Sequence, residues 1–308
     1  MPHKLPPLPP ISDLIRVYGL SAKQKFSQNF ILDRNVTDAI VQRAKVSPAD
    51  DLVVEVGPDA GPKRVVVVEK DMRFVPALEQ LVEASNRRLG IAMGDMLELP
   101  HSRILEIAAQ LDVTTGPLND HGANVRLLGN LPFGVASPLL IQWLKMMSLR
   151  QGLFQGNNKA TMTLMFQKEV AQTICAPPND PQRGRLSVMA QSICNVKLVY
   201  KLNASVFVPK PQVDAAVVHF EPKAAPLVSG SLEKLEDVTR FFFNKKRKTM
   251  ANTTNRLAKS MPEVAPILEQ WQAEGKWDMT KRSSEVSTEQ FCALAHLLDQ
   301  AQLKIPLT

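Results

Sequence analysis

Apolar residues follow two patterns along the chain. Up to about residue 220, short β-branched runs such as 52–56 and 65–69 alternate with segments whose apolar residues recur at helical spacing. Such runs, bounded by Gly, Pro and Asp, are typical of buried parallel strands. We predict further strands at 91–93, 125–129, 160–166, 195–202 and 214–220, and helices at 34–45, 74–84, 102–111, 138–147, 167–175 and 186–193. Strands that alternate with helices predict an α/β fold with a largely parallel sheet.

The remainder of the chain shows only helical spacing. The stretch 222–230 is typical of a linker, and helices are predicted beyond it at 231–243, 245–259, 263–273 and 287–302. Before the first strand, residues 11–19 have helical spacing and residues 21–32 resemble a loop. We therefore predict an N-terminal arm over 1–32, an α/β domain over 33–221 and a small all-helical domain over 231–308.

Charge and composition narrow the class of protein. Lys and Arg number 37 against 30 Asp and Glu, and the net charge of +7 favours a polyanionic partner such as nucleic acid. A basic protein without an anionic partner is the alternative. No apolar run approaches the roughly 20 residues of a membrane-spanning helix, so no membrane association is expected. Neither the three cysteines nor the five histidines have metal-ligand spacing, so no metal is predicted, and a reducing compartment is expected.

The first candidate site lies at the ends of three predicted strands. Gly57 follows the first strand, Glu69 and Lys70 end the second, and Asp95 and Met96 follow the third. Ligands of open α/β sheets bind at this edge. A glycine allows close approach of the backbone, and the two acids can accept hydrogen bonds from ribose hydroxyls and an adenine amino group. Each feature alone is common at strand ends, but their order together predicts a nucleoside-type cofactor site.

The second candidate site is the turn Asn130-Leu131-Pro132-Phe133, which follows a strand that ends at Gly129. Proline stiffens the turn, so that the Asn130 side chain and a backbone carbonyl offer two acceptors to an exocyclic amine, while an aromatic ring stacks on its base. Acceptors of this kind can hold the amine so that its lone pair becomes available for methylation. Asn130, Leu131 and Phe133 are the candidate catalytic residues, and a structural proline turn with a buried Phe is the alternative.

These motifs carry a family resemblance. The turn NLPF, with QNFI at 28–31 and VFVPKP at 206–211, resembles the ribosomal RNA adenine dimethylase family. The stretches KQKFSQNFILD, MTLMFQKEVA and RGRLSVMAQSICNV more narrowly resemble its mitochondrial dimethyladenosine transferase 1 branch, also called mitochondrial transcription factor B. The resemblance covers most of residues 4–258 and weakens over 260–308. It implies a Rossmann-like S-adenosylmethionine-dependent methyltransferase sheet with a small C-terminal all-helical domain.

The resemblance also implies a role for each matching residue. Gln28, Asn29 and Ile31 match a loop that covers S-adenosylmethionine, and Asn130 matches a residue shared by cofactor and target amine. Phe133 matches the ring stacked on the target adenine, and Phe207 matches a second aromatic that helps to hold the flipped base. The cofactor contacts matched at the strand ends are Gly57, Glu69, Lys70, Asp95 and Met96.

The family dimethylates two adjacent adenosines in a hairpin loop near the 3′ end of small-subunit rRNA. The resemblance therefore implies a monomeric enzyme of the mitochondrial matrix that acts on the assembling small ribosomal subunit. A basic run is expected to open a helix of the second domain and to neutralise RNA phosphates, with a merely solvated face as the alternative. It consists of Lys245, Lys246, Arg247 and Lys248.

One segment departs from the family pattern. Only residues 57–64 separate the first two predicted strands, whereas parallel strands need a crossover of about a dozen residues or more, usually a helix. The second loop glycine of the family appears here as Asp59, whose charge repels the cofactor carboxylate. We expect weak binding of S-adenosylmethionine, whether the short segment is native or arises from a splice or gene-model variant.

Two further functions stay open at this point. A non-catalytic RNA- or ribosome-binding or transcription-associated relative would keep the fold and the basic surface, and the short cofactor segment favours it. A DNA adenine or other amino-methyltransferase is the third interpretation, and the resemblance over residues 4–45 speaks against it.

Overall fold

The structure is a computed structural model, which describes Asp13, Gly19 and residues 29–54, 63–111, 122–228 and 232–305. It contains two compact units. The sheet unit comprises the described residues within 1–140, 150–171 and 197–221, and the helical unit comprises those within 141–149, 172–196 and 222–308. Two segments that the sequence assigns to the α/β domain therefore pack with the later helices. Packing units and domains need not coincide, so the domain boundaries at 32, 221 and 231 stay a prediction.

A seven-stranded sheet forms the first unit, in the order β4-β3-β2-β5-β6-β9-β7. Strands β2 to β6 run parallel, and β9 pairs antiparallel with β6. Central residues such as Leu52, Val66 and Leu127 are almost completely buried, as expected of strands covered on both faces. The strands are β2 Leu52–Val54, β3 Val65–Glu69, β4 Leu89–Met93, β5 Asn124–Gly129, β6 Lys159–Gln167, β7 Cys194–Leu202 and β9 Ala215–Pro222.

The strand order determines where a ligand site can form. From β2 the chain proceeds through β3 to β4 on one side, and then returns to build β5 and β6 on the other side. The connections leaving β2 and β5 therefore diverge and open a crevice at the carboxyl ends of these strands. This is the edge at which Glu69, Asp95 and Asn130 were predicted to meet.

Helices occur where helical spacing predicts them, with boundaries shifted by a few residues. Asp33 caps the first helix, because its side chain accepts a hydrogen bond of 2.9 Å from the Asn35 N–H. Those up to residue 193 are α1 Arg34–Arg43, α2 Val75–Ala84, α3 His101–Gln110, α4 Phe133–Ser148, α5 Lys168–Cys175 and α6 Arg185–Ile193.

The helical unit has an aromatic core. The Trp277 ring packs at 5.1 Å from Phe242 and at 5.2 Å from Trp271, and all three side chains are buried. The two tryptophans thus pack inside the protein. The remaining helices are α7 Leu232–Asn244, α8 Met250–Ser260, α9 Ala265–Ala273 and α10 Thr288–Gln300.

One predicted loop and one predicted helix start need correction. Phe30–Ile31, predicted as loop, is the short strand β1 and pairs antiparallel with β8, Phe207–Val208. Helix α4 begins at Phe133 rather than at 138. Pro138 lies inside the helix and not at its start.

The basic run does not open a helix. Residues 245–248 form an exposed turn, and α8 begins only at Met250, where the Thr249 hydroxyl caps it. The predicted helix at 11–19 lies almost entirely outside the described residues. Within the described part of the chain, no helix combines the length and apolar character needed to span a membrane.

Candidate functional site

Glu69 ends strand β3 with a carboxylate fixed by the backbone. Its Oε1 accepts hydrogen bonds of 2.8 Å from the Lys70 N–H and 2.7 Å from the Asp71 N–H. Burial raises the pKa of Glu69, and these two hydrogen bonds partly offset the rise. Since Oε1 is used in this way, Oε2 is the oxygen that can accept from the hydroxyl groups of a ribose.

Asp95 lies beside Glu69 because β3 and β4 are in register. Glu69 pairs with Met93, and its carbonyl accepts a hydrogen bond of 2.9 Å from the Gly94 N–H. Gly94 has a φ of +156°, which glycine adopts without strain, and a Cβ there would meet Leu99 Cδ1 at 3.0 Å. The turn carries Asp95 back over the sheet edge, and half-buried Met96 follows it.

Lys70 and Asp95, both predicted to contact adenine, form an ion pair. Lys70 Nζ lies 2.6 Å from Asp95 Oδ2, while Asp95 Oδ1 accepts a 3.0 Å hydrogen bond from the Leu97 N–H. The hydrogen bond from Lys70 is the largest cause that holds the pKa of Asp95 below its usual range. Asp95 therefore stays ionised and able to accept a hydrogen bond from an amino group at neutral pH.

Asn130 marks the end of β5 and has an exposed side chain. Its Nδ2 donates a hydrogen bond of 3.0 Å to the backbone carbonyl of Asn29. A carbonyl oxygen only accepts, so this contact determines the orientation of the side-chain amide. Asn130 Oδ1 is consequently the atom that remains to accept a hydrogen bond from a target amine.

The N-terminal arm connects the separate motifs of the site. Ile31 pairs with Phe207 in the β1–β8 ladder, and both side chains are buried in one apolar cluster with Val36. Partly buried Phe133 packs against the same cluster, and Leu131 is buried. Asn29, Ile31, Asn130, Phe133 and Phe207 are thus brought together by the fold.

Phe207 supports the arm in this structure. Its ring is 2% exposed and belongs to the cluster beneath the arm. This burial gives Phe207 a packing role against β1, and its contact with a flipped base stays a prediction. Val208 and Pro209 are the exposed residues of the VFVP segment.

One contact at this edge has no signal in the sequence. Phe30 and Phe74 pack edge to face with ring centroids 5.8 Å apart, which joins the arm to the segment that follows β3. The sequence spacing of Phe30 and Phe74 does not predict this contact. Phe30 reaches Phe74 only because the pairing of β1 with β8 places the arm at this edge. The arm thereby contacts both sides of the crevice.

The connection between β2 and β3 is short in the structure too, with ten residues between Val54 and Val65 against the eight that the sequence predicts. Val54 pairs with Val66, and Lys63 already lies beside β2, with its N–H donating to the Asp50 carbonyl at 3.1 Å. Eight residues, 55–62, join these points, and they lie outside the described residues together with predicted Gly57. Gln28 lies outside them as well. Eight residues are fewer than a crossover with its own helix requires.

The fold and its polar edge define a class, the S-adenosylmethionine-dependent methyltransferases with a Rossmann-like sheet. A dimethyladenosine transferase from Plasmodium falciparum has a similar structure, with a TM-score of 0.65 at 20% identity over 89% of this chain and 98% of the other. The 23S rRNA methyltransferase ErmE has a TM-score of 0.57 at 22% identity, over 88% of this chain and all of the other. At these identities the likeness establishes the fold.

Sequence comparison supplies the family. The model for ribosomal RNA adenine dimethylase matches residues 19–299, and the chain belongs to this family. It is 37% identical to a mitochondrial dimethyladenosine transferase 1 of Vermamoeba vermiformis, over 99% of this chain and 98% of that protein. The predicted fold, S-adenosylmethionine as cofactor and rRNA adenine dimethylation as the family activity are thereby confirmed.

A vertebrate relative carries residues that this chain lacks. The mitochondrial dimethyladenosine transferase 1 of Xenopus tropicalis is 41% identical over 80% of this chain and 72% of its own length. That alignment is 256 residues long, which leaves about ten of its positions without a residue from this chain.

Proposed function

We propose that this protein dimethylates two adjacent adenosines in the 3′-terminal hairpin loop of mitochondrial small-subunit rRNA. It acts as a monomer in the mitochondrial matrix, on the assembling small subunit. The observation that carries the proposal is the side chain of Asn130, exposed at the crevice and oriented by the Asn29 carbonyl so that an acceptor oxygen remains.

The residues at the sheet edge fit the cofactor. Glu69 Oε2 would hold the ribose and Asp95 the adenine amino group, while Asn29 and Ile31 belong to the arm that closes the crevice. When bound, S-adenosylmethionine supplies an activated methyl group. The ion pair with Lys70 keeps Asp95 charged, which strengthens a hydrogen bond to it.

Asn130 Oδ1 and the Leu131 carbonyl orient the target amine. Hydrogen bonds to its two N–H groups turn the nitrogen so that its lone pair is no longer delocalised into the purine ring. The partly buried ring of Phe133, at the start of α4, supports the base. No strong base is needed, because the methylated nitrogen loses its proton readily to water.

The basic turn is the proposed RNA contact of the helical unit. Lys245, Lys246, Arg247 and Lys248 are all exposed, and the structure records no ion pair for any of them among the described residues. Cations without carboxylate partners are available to neutralise phosphates. In our proposal residues 33–221 carry out methyl transfer and residues 231–308 hold the RNA.

Substitution of Asn130 tests the catalytic proposal. Asn130→Ala removes the acceptor while leaving the basic turn intact, so we expect methyl transfer to fall by about a hundredfold or more and RNA affinity to change less than twofold. Primer-extension stops at the two adenosines, after incubation of methylase-deficient small subunits with millimolar cofactor, report the activity.

The control is Asn195→Ala, an exposed asparagine on β7. We expect it to leave the stops unchanged. Undiminished stops with Asn130→Ala reject the assigned role.

A second candidate function is favoured by the β2–β3 connection. A chain that lacks the crossover helix after β2 binds cofactor poorly and can still bind RNA through the basic turn. It would then serve as a non-catalytic ribosome-binding or transcription-associated protein. We infer that the positions missing relative to the Xenopus tropicalis protein belong at this connection, and reading the coding sequence across residues 57–64 separates the two functions.

A further inference from the structure

A cationic cavity lies within the helical unit, in a part of the chain that has no role in the methyl-transfer site. Its volume is about 480 Å³. The end of α5, the turn before α6 and the end of α7 form its walls. Its lining includes Thr173, Arg183, Gly184, Arg185, Arg240 and Lys246.

Positive charge exceeds negative charge around this cavity. The half-exposed Arg185 and Arg240 share the carboxylate of Glu236, at 3.9 Å and 2.8 Å, and Lys145 binds the same carboxylate at 2.8 Å. Burial opposes ionisation of Glu236, but the hydrogen bonds from Lys145 and Arg240 outweigh it and hold the pKa below its usual range. The single carboxylate of Glu236 is thus shared by three cations. Arg240 also lies 3.8 Å from Asp237, which is a second, weaker ion pair.

Arg183 adds a buried charge to the wall. Its side chain is 0% exposed and donates to the carbonyl of Ala176 at 3.0 Å, to Gln191 Oε1 at 3.1 Å and to Thr288 Oγ1 at 2.8 Å. All three acceptors are neutral, and Arg183 Nε is buried without a hydrogen-bond partner. Burial lowers the pKa of Arg183 to about 10, the charge of Glu289 partly opposes this, and Arg183 remains protonated at neutral pH. Among the described residues no carboxylate forms an ion pair with it, and a buried cation whose direct partners are neutral is costly unless an anion compensates it.

The amino end of α6 points to the same kind of ligand. Gly184 is its N-cap, and the Gly184 N–H already donates to Ser187 Oγ at 3.0 Å. Within the described chain, the next N–H groups, of Arg185 and Leu186, have no acceptor in the structure. Free N–H groups and the positive end of the helix dipole favour an anion.

We propose that this cavity binds a backbone phosphate of the substrate RNA. The accessible cations Arg185, Arg240 and Lys246 line one cavity, and arginine forks suit phosphate oxygens. Arg183 adds positive charge behind them, and Lys246 joins the cavity to the exposed basic turn. The inference rests on the proposed function, since it takes RNA as the substrate.

A matched pair of substitutions at Thr173 tests the proposal. Thr173 lines the cavity beside Gly184, because a Cβ on Gly184 would meet its Cγ2 at 3.3 Å. Thr173→Glu places a carboxylate in the cavity, and Thr173→Gln has the same size without charge. With the 3′-terminal small-subunit hairpin as the probe, we expect Thr173→Glu to bind about tenfold more weakly than Thr173→Gln at 0.1 M salt.

The salt dependence gives a second readout. Loss of one phosphate contact reduces the slope of log affinity against log salt by about one. Equal affinities and slopes for the two variants overturn the proposal. If Thr173→Glu does not fold, Arg185→Gln replaces it, with Lys276→Gln, an exposed charge outside the cavity lining, as its control.

Binding of inorganic phosphate, measured as a second probe, distinguishes a site for a free phosphate ion from a site for an RNA phosphate. If Thr173→Glu abolishes binding of inorganic phosphate but leaves hairpin binding equal to that of Thr173→Gln, the cavity takes a free anion and the RNA proposal is overturned. Methyl transfer by the unsubstituted chain is scored in parallel. Its absence contradicts the proposed activity, whereas a difference between the Thr173 variants concerns the cavity alone.

Discussion

At the scale of single residues, Asn130 and Phe207 occupy opposite environments at one sheet edge. Asn130 is exposed, and its side-chain amide is oriented by the Asn29 carbonyl. The Phe207 ring, to which the family resemblance assigns a base-holding role, is buried against Ile31. The burial depends on β1, a strand of two residues that is too short to leave a periodic signal.

His101 links the stability of the sheet unit to pH. Its ring is 5% exposed, and Nδ1 accepts a hydrogen bond of 3.3 Å from the Leu153 N–H. Burial lowers the pKa of His101 to about 4. In the unfolded chain the pKa of His101 has its ordinary value, so below pH 6.5 the unfolded state binds a proton that the folded state does not bind. This stabilising contribution is complete above pH 6.5 and is lost as the pH falls towards 4.

We therefore expect unfolding in urea to become easier in acid, with a loss of about 2 kcal/mol between pH 7 and pH 5 from this group. His101→Asn retains an acceptor but does not titrate, so its stability should change less over the same interval. His219, whose pKa burial also lowers, acts in the same direction in both proteins. Identical pH dependence in the two proteins contradicts the assignment to His101.

At the scale of elements, the β2–β3 connection decides cofactor affinity. Only ten residues, 55–64, separate the end of β2 from the start of β3. Ten residues are too few to supply both a glycine-rich loop and a packed helix. Such a loop and helix are the usual means by which this fold holds the carboxylate end of a nucleotide-like ligand.

We expect the chain as written to bind S-adenosylmethionine more weakly than micromolar in isothermal titration. A variant whose residues 57–64 are replaced by the equivalent segment of the Xenopus tropicalis relative should bind at least about tenfold more tightly, because it regains the helix terminus. Asp59→Gly removes a like charge without adding length and serves as the matched control. Micromolar affinity of the unaltered chain refutes the expectation.

At the scale of the whole molecule, the α/β pattern was predictable because strands and helices have different apolar periods. Runs such as 65–69 and 160–166 gave strands in the expected places. The sequence assigned the segments 141–149 and 172–196 to the α/β domain, but they pack with the helical unit. Periodicity reports that a helix has a buried face and does not report which neighbour covers it.

The candidate site was predictable only in part for a similar reason. Glu69 and Asp95 lie together because parallel strand ends share one edge. The contact between Phe30 and Phe74 and the cavity around Arg183 depend on turns and side-chain packing, which have no period in the sequence. The positive charge of the basic turn could be predicted from the sequence, but its conformation as a turn before Met250 could not.

The pairing of Phe30 with Val208 has a consequence for synthesis of the chain on the ribosome. The segment that covers the crevice is translated well before its partner strand, which lies about 180 residues further along the chain. Until then the apolar side of Ile31 has no Phe207 to cover it. The pocket for the methyl donor is thus completed late in translation, and a nascent chain released before residue 208 has every sheet-edge acid but no closed crevice.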